Sequence, residues 1–352
     1  MIHKRFVHPV CRLVIVSAAQ RFAGMVLVVI DAEYVLPLRW ADDTGLADLV
    51  GYLERLSESI EVTVVDGSAP AVFAAHAAAF PAGVRHLPVQ PWPGRNGKVA
   101  GVMTGVRTAR HERIVVADDD VRYDEDALAA VIRLLDFADV VTPQNYFAPL
   151  PWHARWDTAR ILLNRAIAHD YPGTLAVRRR ALAPGGYDGD VLFENLELIR
   201  TVRASGGTHL VAADCLVERR PPTARHFLGQ RVRQAYDSFA QPGRLVAELL
   251  IVPIAILFVL RAPRRLVALA AATVAVAEAG RRRGDGGSRR VFPATSALWA
   301  PLWLVERGLC SWAAVWLRLR GGVRYSDGRL ARAGTSLKAL KAEHRIARKA
   351  SA

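Results

Sequence analysis

The sequence predicts an α/β fold with a doubly wound, mostly parallel sheet, followed by a C-terminal apolar helical region. Between Tyr34 and Gln144, short apolar runs alternate with segments of helical periodicity. That alternation is typical of parallel strands joined by helices. After residue 243, longer uncharged runs are separated by basic clusters, which indicates a second, helical part of the chain.

The elements of the sheet follow from apolar runs that end in polar residues or glycine. Strands are predicted at residues 34–40, 61–68, 84–89, 113–117 and 138–144. Helices are predicted between them, at residues 44–57, 69–80, 96–109 and 124–137. In the first helix the apolar residues recur at helical spacing, at Leu46, Leu49, Val50, Leu53 and Leu56.

Composition narrows the class of protein. The chain has 352 residues, of which 52% are hydrophobic, so it is long and apolar enough to fold and is not of the disordered class. Cys11, Cys215 and Cys310 have neither CxxC nor zinc-site spacing, which favours a reducing compartment. The formal net charge is +14, and residues 261–352 carry all of the excess, with 19 Lys and Arg against 5 Asp and Glu.

The most informative motif is an acidic triplet at the end of the strand predicted at 113–117. Asp118, Asp119 and Asp120 directly follow four apolar residues. Ligands of open α/β sheets lie at the carboxyl ends of strands, and adjacent carboxylates repel one another unless a cation neutralises them. Carboxylate oxygens suit Mg²⁺ or Mn²⁺, which in turn can hold a diphosphate. For an isolated triplet, a solvated acidic turn is the alternative.

Two common phosphate-binding loops are excluded by their spacing. The first strand is not followed by GxGxxG, the pattern of dinucleotide-binding folds. The nearest approach to GxxxxGK[ST] is GRNGKV at residues 94–99, where the spacing differs and Val99 follows the lysine. Carboxylates with a metal ion are therefore the predicted means of holding phosphate.

A second motif, GGYDGDVLFENLELIRTVRASGG at residues 185–207, predicts a turn followed by a helix. Glu194 and Asn195 come at the start of that helix, where the dipole and free N–H groups favour a carboxylate. From this segment alone, Glu194 or Asn195 is either functional or a helix cap.

In order, these motifs resemble family 2 glycosyltransferases of the GT-A type, over residues 34–239. The matching parts are the strand ending in Asp66, NGKVAGVMTGVRTA at 96–109, the DxD motif Asp118–Asp120, GTLAVRRRAL at 173–182, the segment with Glu194, and QRVRQ at 230–234, which is similar to QxxRW. The resemblance implies a GT-A-like fold and a hexosyltransferase-like enzyme of the membrane-associated type, acting on a nucleotide-diphosphate sugar.

The resemblance also implies roles for particular residues. The residues expected to bind the donor are Asp66, Lys98, Asp118, Asp119 and Arg233, and those expected to ligate the metal ion, Mg²⁺ or Mn²⁺, are Asp118 and Asp120. Asn195 stands where the family usually has an aspartate base, so Glu194 is the expected catalytic base, with Glu197 on a nearby face. Gln234 replaces the tryptophan of QxxRW.

The acceptor site is expected near an aromatic cluster, PWHARWD at residues 151–157. Aromatic faces stack on sugar rings, so Trp152 and Trp156 would line the acceptor site together with Gln230 of the QxxRW-like motif. Packing at a junction between a loop and a helix is the equally favoured alternative for the two tryptophans. The expected function is thus inverting transfer of a sugar to a hydroxyl acceptor, lipid-linked or of the cell envelope.

The helical region predicts membrane association. Uncharged runs at 249–260, 266–277 and 291–305 are shorter than a spanning helix, but basic clusters lie between them and Trp299, Trp303, Trp312 and Trp316 recur in and after the third. We expect a helical hairpin and a Trp-rich helix on an anionic membrane, with the catalytic domain facing the cytoplasm, and no nucleic-acid partner. A soluble helical bundle is the alternative.

The sequence divides into four segments. They are an unassigned extension at 1–33, the glycosyltransferase domain at 34–243, membrane-associated helices at 244–320 and a basic tail at 321–352.

Two other functions are alternatives to glycosyl transfer. One is a non-catalytic, nucleotide-sugar-binding membrane protein, because Asn195 replaces the usual base. The other is an Asp-dependent phosphotransferase, disfavoured because Arg122 stands where that chemistry usually has Thr or Val.

Overall fold

The structure is a computed structural model that describes residues 30–182, 185–284, 286–325 and 328–350. The predicted N-terminal extension lies outside the described residues as far as residue 29. From Ile30 onward the chain is already part of the central sheet, since the first strand begins there rather than at Tyr34.

The central sheet has eight strands in the order β3-β2-β1-β4-β7-β6-β8-β5. Four neighbouring pairs are parallel (β1 with β2, β1 with β4, β2 with β3 and β6 with β8) and three are antiparallel, which confirms the predicted α/β class with a largely parallel sheet. The strands are β1 Ile30–Leu38, β2 Ile60–Asp66, β3 Val84–Pro88, β4 Arg113–Ala117, β5 Val121–Arg122, β6 Val140–Phe147, β7 Thr174–Arg178 and β8 His209–Arg219.

Helices cover both faces of the sheet, as the apolar periodicity predicts. Leu53 and Leu128 belong to the core on one face, and Val102 and Val202 belong to the core on the other. The helices within this part of the chain are α1 Leu46–Ser57, α2 Pro70–Ala79, α3 Gly97–Thr108, α4 Glu125–Leu134, α5 Trp152–Ile167, α6 Arg179–Leu182 and α7 Glu194–Ala204.

Strands β7 and β8 have no counterpart among the predicted elements. β7 lies antiparallel between β4 and β6, so it inverts the sheet where strict alternation of strand and helix predicts another parallel strand. Its first residue, Thr174, pairs with Ala117 at the end of β4, which brings the loop before β7 beside the acidic triplet.

The C-terminal helical region packs against the sheet domain rather than standing apart from it. Its elements are α8 Ala224–Tyr236, a 3₁₀ turn Asp237–Ala240, α9 Pro242–Arg261, α10 Pro263–Arg282, α11 Gly287–Val291, a 3₁₀ turn Ala294–Trp299, α12 Ala300–Leu319, the hairpin β9 Val323–Tyr325 and β10 Gly328–Leu330, and α13 Leu337–Ala350. α10 packs on α5 so closely that a Cβ at Gly280 would lie 1.9 Å from the carbonyl oxygen of Leu162.

Among the described residues, one helix is long and apolar enough to cross a membrane, α9. It contacts α12 and α10 along one side, and most of its other side chains are exposed. α9 and α10 are consecutive helices joined at Ala262, and the described part of the chain thus contains the C-terminal apolar helical region predicted from the sequence.

Candidate active site

A cleft of about 650 Å³ opens at the carboxyl ends of β1, β2 and β4. One side, which we call the donor edge, consists of Asp118–Asp120 at the end of β4 and Lys98 in the first turn of α3. A second set of lining residues, which we call the acceptor wall, comes from α7, α8, the 3₁₀ turn that follows α8, and β9, namely Glu194, Gln230, Arg233, Asp237 and Tyr325.

Backbone hydrogen bonds fix the acidic triplet at the rim of the cleft. The N–H of Asp118 donates to the carbonyl of Gly173 at 2.8 Å, and the N–H of Arg220 donates to the carbonyl of Asp120 at 2.7 Å. A Cβ at position 173 would lie 2.7 Å from a carboxylate oxygen of Asp118, so a larger residue there would displace that carboxylate. The loop before β7 therefore shapes the donor edge.

A guanidinium group lies between the first and third carboxylates of the triplet. Arg219, the last residue of β8, has its Nε 2.8 Å from Oδ2 of Asp120, and its Nη2 lies 3.4 Å from Oδ2 of Asp118. Burial raises the pKa of Asp120 to about 6, although the charge of Arg219 acts in the opposite direction. Asp118 and Asp120 thus converge on one position, and that position suits a cation.

The donor edge fits a divalent metal ion by the chemistry of its ligands. Asp118 and Asp120 supply hard carboxylate oxygens around the position that a cationic group takes in this structure. The described residues contain no group of three or more His, Cys, Asp or Glu side chains that would complete a metal site from protein alone. Mg²⁺ and Mn²⁺ fit this arrangement, because one or two carboxylates plus substrate phosphates and water suffice for such ions.

Lys98 joins the donor edge to the acceptor wall. Its Nζ lies 2.5 Å from Oδ1 of Asp118 and 2.6 Å from Oε1 of Glu194. Burial disfavours the charged ammonium, but the two carboxylates outweigh this effect and raise the pKa of Lys98 above its ordinary value. Asn96 caps α3 by accepting the backbone N–H of Lys98 at 3.1 Å, and its side-chain oxygen also accepts the hydroxyl of Tyr325.

Glu194 and Asn195 lie at the start of α7, as the sequence predicts, but neither acts as its cap. The first turn has no side-chain cap, and Glu194 is paired with Lys98 instead. The side-chain amide of Asn195 donates to the carbonyl of Pro172 at 3.1 Å, so it holds the loop before Gly173. Glu197 lies away from the cleft and accepts the backbone N–H of Thr335 at 2.7 Å.

Asp66 lies beneath the cleft rather than at its surface. Its carboxylate lies 2.6 Å from Nδ1 of His76 and 3.1 Å from Nε2 of His86, and it accepts the backbone N–H of Ser68. Burial opposes ionisation, but these hydrogen bonds outweigh it and lower the pKa of Asp66. The residues that line the cleft at this strand end are Val65 and Gly67.

Asp119 lines the cleft and is held by an indole. Nε1 of Trp40 donates to its carboxylate, and the ring of Trp40 meets the ring of His76 edge-on with centroids 5.6 Å apart. Since His76 contacts Asp66, this predicted donor-binding residue is linked to Asp119 through two aromatic side chains, His76 and Trp40. Asp119 lines the cleft and Asp66 does not, so Asp119 is the one of these two carboxylates that is placed to contact a donor substrate.

Four residues of the QxxRW-like motif line the cleft: Gln230, Arg231, Arg233 and Gln234. The guanidinium of Arg233 lies over the ring of Tyr325, 4.9 Å from its centroid, and the amide of Gln230 lies 3.3 Å from His226. The side-chain oxygen of Gln234 is buried and has no hydrogen-bond partner among the described residues. The motif therefore faces the cleft, as expected for a substrate-binding segment.

The predicted acceptor tryptophans pack behind the cleft. Trp152, with 45% of its surface exposed, and Trp156 both contact the ring of Phe227, and among these three described aromatic residues only Phe227 lines the cleft. Asp157, one residue further on, also lines the cleft and is buried between Arg160 and Arg231. Trp152 and Trp156 thus take the packing arrangement that the sequence analysis gives as the alternative to lining the acceptor site.

Sequence reasoning missed Arg219, Asp237 and Tyr325, which all line the cleft. Arg219 ends a strand that was not predicted, and Tyr325 lies in a hairpin nearly a hundred residues beyond the last motif. The sequence does contain a signal for Asp237, namely its spacing from Arg233. Asp237 lies one helical turn after Arg233 and therefore follows the QxxRW-like motif along the same helix face.

Comparison with known proteins supports the family predicted from these motifs. Residues 47–185, which are 139 of the 352, match the family model for glycosyl transferase family 2. Comparison with curated proteins gave no match.

Two solved structures to which this chain is similar show the extent of the similarity. One is a mannosyltransferase from Pyrobaculum calidifontis in complex with GDP-Man and Mn²⁺, with 16% identity over 86% of this chain and 94% of that chain, at a TM-score of 0.46. The other is glucosyl-3-phosphoglycerate synthase from Mycobacterium tuberculosis in complex with phosphoglyceric acid, with 14% identity over 55% and 74% and a TM-score of 0.37. The residues that match the model for glycosyl transferase family 2 include Asp66, Lys98 and the acidic triplet.

Proposed function

We propose that the protein is an inverting, hexosyltransferase-like enzyme that moves a sugar from a nucleotide-diphosphate sugar to a hydroxyl group. The observation that carries this proposal is that the acidic triplet, inside the family match, shares one cleft with a second set of carboxylates on the acceptor wall. A single displacement needs both: charge at the leaving diphosphate and a carboxylate base at the acceptor hydroxyl.

The donor edge would bind the diphosphate and the nucleotide. Asp118 and Asp120 would hold a divalent metal ion, Mg²⁺ or Mn²⁺, which supplies Lewis-acid stabilisation of the departing diphosphate. Lys98 and Arg233 place positive charge on two sides of the same cleft. Asp119 would contact the donor directly, whereas buried Asp66 would act on the nucleotide pocket through His76 and Trp40.

The acceptor wall would hold the hydroxyl substrate between Gln230, Phe227 and the carboxylates, with Trp152 and Trp156 supporting Phe227 from behind. Two acidic side chains of this wall are placed to serve as the base. Glu194 is the one that the sequence predicts, and its ion pair with Lys98 supports a role beside the donor. The other is Asp237.

The central test is Asp120→Ala, assayed for release of nucleoside diphosphate from UDP-, GDP- and dTDP-sugars with Mn²⁺. We expect turnover to fall about 10²–10³-fold, the usual cost of losing one group that stabilises charge in the transition state. Asp136→Ala, at an exposed ion pair with Arg113 at the start of β4, is the matched control and should keep full activity. Undiminished, metal-dependent turnover by Asp120→Ala would refute the proposal.

One observation favours the second function, a nucleotide-sugar-binding protein without catalysis. Asn195 is tied to Pro172 and Glu194 is neutralised by Lys98, so neither residue of this pair has a free carboxylate. Thermal-shift screening of the same sugar nucleotides with Mn²⁺ separates the two functions, since both predict stabilisation on binding but only the enzyme releases product.

We further propose that the helical region docks in the plane of an anionic membrane, which would bring a lipid-linked or cell-envelope acceptor to the cleft. An apolar surface on α9 and α12 supports this, because its exposed side chains include large aliphatic and indole groups, among them Ile256, Leu260, Leu309, Trp312 and Trp316. Exposed arginines at both ends of α10, including Arg264, Arg265 and Arg282, complement anionic headgroups.

The packing of the helices supports docking in the plane of the membrane. α10 is fixed to α5 and α12 to α8, so neither helix is placed to cross a bilayer while it keeps these contacts. The 3₁₀ turn at Asp237–Ala240 is one residue from α9, so an acceptor held in the membrane surface would be close to the acceptor wall. A cytoplasmic face suits this arrangement, since the cytoplasmic leaflet carries the negative surface potential.

Vesicle co-sedimentation tests the membrane proposal. Wild type should bind vesicles of phosphatidylcholine with 30% phosphatidylglycerol, bind pure phosphatidylcholine more weakly, and lose binding as salt rises. Trp312→Ser with Trp316→Ser should remove most of the binding, whereas Trp152→Ser, an exposed indole elsewhere, should not. Equal binding by all three proteins would contradict docking through this surface.

A further inference from the structure

Asp237 is the carboxylate of the acceptor wall whose surroundings differ most from those of Glu194. It begins the 3₁₀ turn after α8 and lines the cleft. The chain on either side of it is fixed, because Tyr236 is fully buried and donates its hydroxyl to the carbonyl of Ala331 at 2.7 Å, and Ser238 is also buried. The backbone at Asp237 is therefore held in place by its neighbours.

One carboxylate oxygen of Asp237 is buried without a hydrogen-bond partner. This is Oδ1, and the statement holds among the residues that the structure describes. An unsatisfied buried acceptor is costly unless a ligand supplies the missing donor. Because Asp237 lines the cleft, a ligand bound there lies beside this carboxylate and can supply a donor to it, and a hydroxyl is such a donor.

Unlike Asp237, Glu194 has a carboxylate oxygen that is already paired with a cation. Its Oε1 lies 2.6 Å from the ammonium of Lys98, which also lies 2.5 Å from Asp118. An acceptor hydroxyl would have to displace this ammonium to reach Oε1 of Glu194. Glu194 is thus suited to hold Lys98 beside the donor rather than to take a proton.

We propose that Asp237, rather than Glu194, is the general base for the acceptor hydroxyl, an assignment that rests on the glycosyl transfer proposed above. The proton of the acceptor hydroxyl passes to the Asp237 carboxylate as the acceptor oxygen forms its bond to the anomeric carbon. The bond from that carbon to the diphosphate oxygen breaks, and its electron pair leaves with the nucleoside diphosphate. No oxidant or further reactant is needed.

The electrostatic surroundings support this role. Burial raises the pKa of Asp237 from its ordinary 3.8 to about 7, and the charge of Glu194 on α7 acts in the same direction. The guanidinium groups of Arg233 on α8, Arg307 on α12 and Arg244 on α9 act in the opposite direction. A base with a pKa near the working pH combines a useful ionised fraction with a strong affinity for the proton.

The experiment compares Asp237→Asn, Glu194→Gln and Asp136→Asn with wild type. The donors are UDP-glucose, GDP-mannose and dTDP-glucose with Mn²⁺, the acceptor probe is octyl β-glucoside, and the product is the released nucleoside diphosphate. Asp237→Asn should lower kcat about 10²-fold or more while the Kd of the donor stays within about threefold. Asp136→Asn, the same change far from the cleft, should match wild type.

The pH profile separates the two carboxylates. The base must be ionised, so kcat of wild type should rise with pH through the pKa of Asp237 near 7. Glu194→Gln removes a charge that raises this pKa, so it should keep the rising limb and move it to lower pH. If Glu194→Gln abolishes kcat together with the limb, or if Asp237→Asn keeps the kcat of wild type, the assignment to Asp237 is overturned.

Thermal unfolding gives a readout that does not depend on turnover. A carboxyl whose pKa is raised by folding stabilises the fold at pH values below its unfolded pKa, and this stabilisation is lost as pH rises towards 7. Asp237→Asn should therefore raise Tm about 5 °C more at pH 8 than at pH 5. An equal change at both pH values overturns the assignment, and absence of turnover by wild type overturns the proposed function and this assignment with it.

Discussion

The donor edge and the acceptor wall line one cleft, but the chain builds them in different ways. Asp118–Asp120 and Lys98 come from 23 consecutive residues, 98–120, at the end of one strand and the start of one helix. The acceptor wall draws on residues from Glu194 to Tyr325, in two helices, a 3₁₀ turn and a hairpin. A short motif can specify the first, whereas only the folded helical region assembles the second.

Their electrostatics differ as well. At the donor edge the carboxylates of Asp118 and Asp120 contact the cationic groups of Lys98 and Arg219. On the acceptor wall Asp237 keeps an oxygen without a hydrogen-bond partner among the described residues. The difference suggests that the donor edge is organised to exchange one cation for another, and the acceptor wall to accept a proton.

We expect the largest effect on the free energy of unfolding from a substitution in the buried ion-pair network beside the acceptor wall. Asp157 is 6% exposed and pairs with Arg160 at 3.1 Å and Arg231 at 3.2 Å, which hold its pKa below its ordinary value against the effect of burial. Asp157→Ala leaves the two arginines short of a counter-charge and should lower the free energy of unfolding by about 3–5 kcal/mol, measured by urea denaturation.

The matched control for Asp157 is Asp136, whose ion pair with Arg113 is exposed to solvent. Asp136→Ala should change the free energy of unfolding by about 0.5 kcal/mol or less, since exposed pairs contribute little. A loss below about 1 kcal/mol for Asp157→Ala would show that the acceptor wall does not depend on this buried network, and the contrast with the donor edge would weaken.

Arg219 allows the cation exchange at the donor edge to be tested. Arg219→Met removes the guanidinium between Asp118 and Asp120, so the carboxylates repel one another. The free energy of unfolding should fall by about 2–3 kcal/mol in EDTA, a figure set by the loss of charged hydrogen bonds at a partly exposed site. Saturating Mn²⁺ should recover much of that loss by binding the folded protein.

Wild type is the comparison for the metal effect. Mn²⁺ should stabilise wild type less than it stabilises Arg219→Met, because in wild type the ion must first displace the arginine. If Mn²⁺ stabilises both proteins equally in urea denaturation, the guanidinium and the metal ion do not share a position and the donor edge is not an exchange site.

The two halves of the cleft also differ in how far the sequence predicts them. Strand 113–117 was predicted to the residue, and the acidic triplet follows it at the edge where parallel strands end, because apolar runs and strand polarity are local properties. β7 was missed, since antiparallel insertion depends on pairing between Thr174 and Ala117, which are 57 positions apart. Arg219 was missed with the strand that carries it, β8.

The aromatic residues near the acceptor wall are also predicted only in part by the sequence. The sequence marks Trp152, Trp156 and Phe227 as aromatic but does not say which of them faces the cleft. α5 turns both tryptophans onto the ring of Phe227, and Phe227 alone among these three lines the cleft. Side-chain direction on a helix depends on its rotation against its neighbours, which tertiary packing decides.

The smallest effect is expected for Trp152→Ala, because Trp152 lies in the predicted acceptor motif but behind the cleft. This variant tests whether the acceptor wall includes that motif. It should lower the free energy of unfolding by about 1 kcal/mol through lost aromatic contacts, and change the KM for octyl β-glucoside by less than about threefold. Phe227→Leu, which keeps an apolar side chain but removes the ring from the cleft, should raise that KM about tenfold. If Trp152→Ala raises KM as much as Phe227→Leu does, the acceptor site extends beyond the cleft to the exposed indole. The aromatic motif would then specify the acceptor wall as locally as the acidic triplet specifies the donor edge.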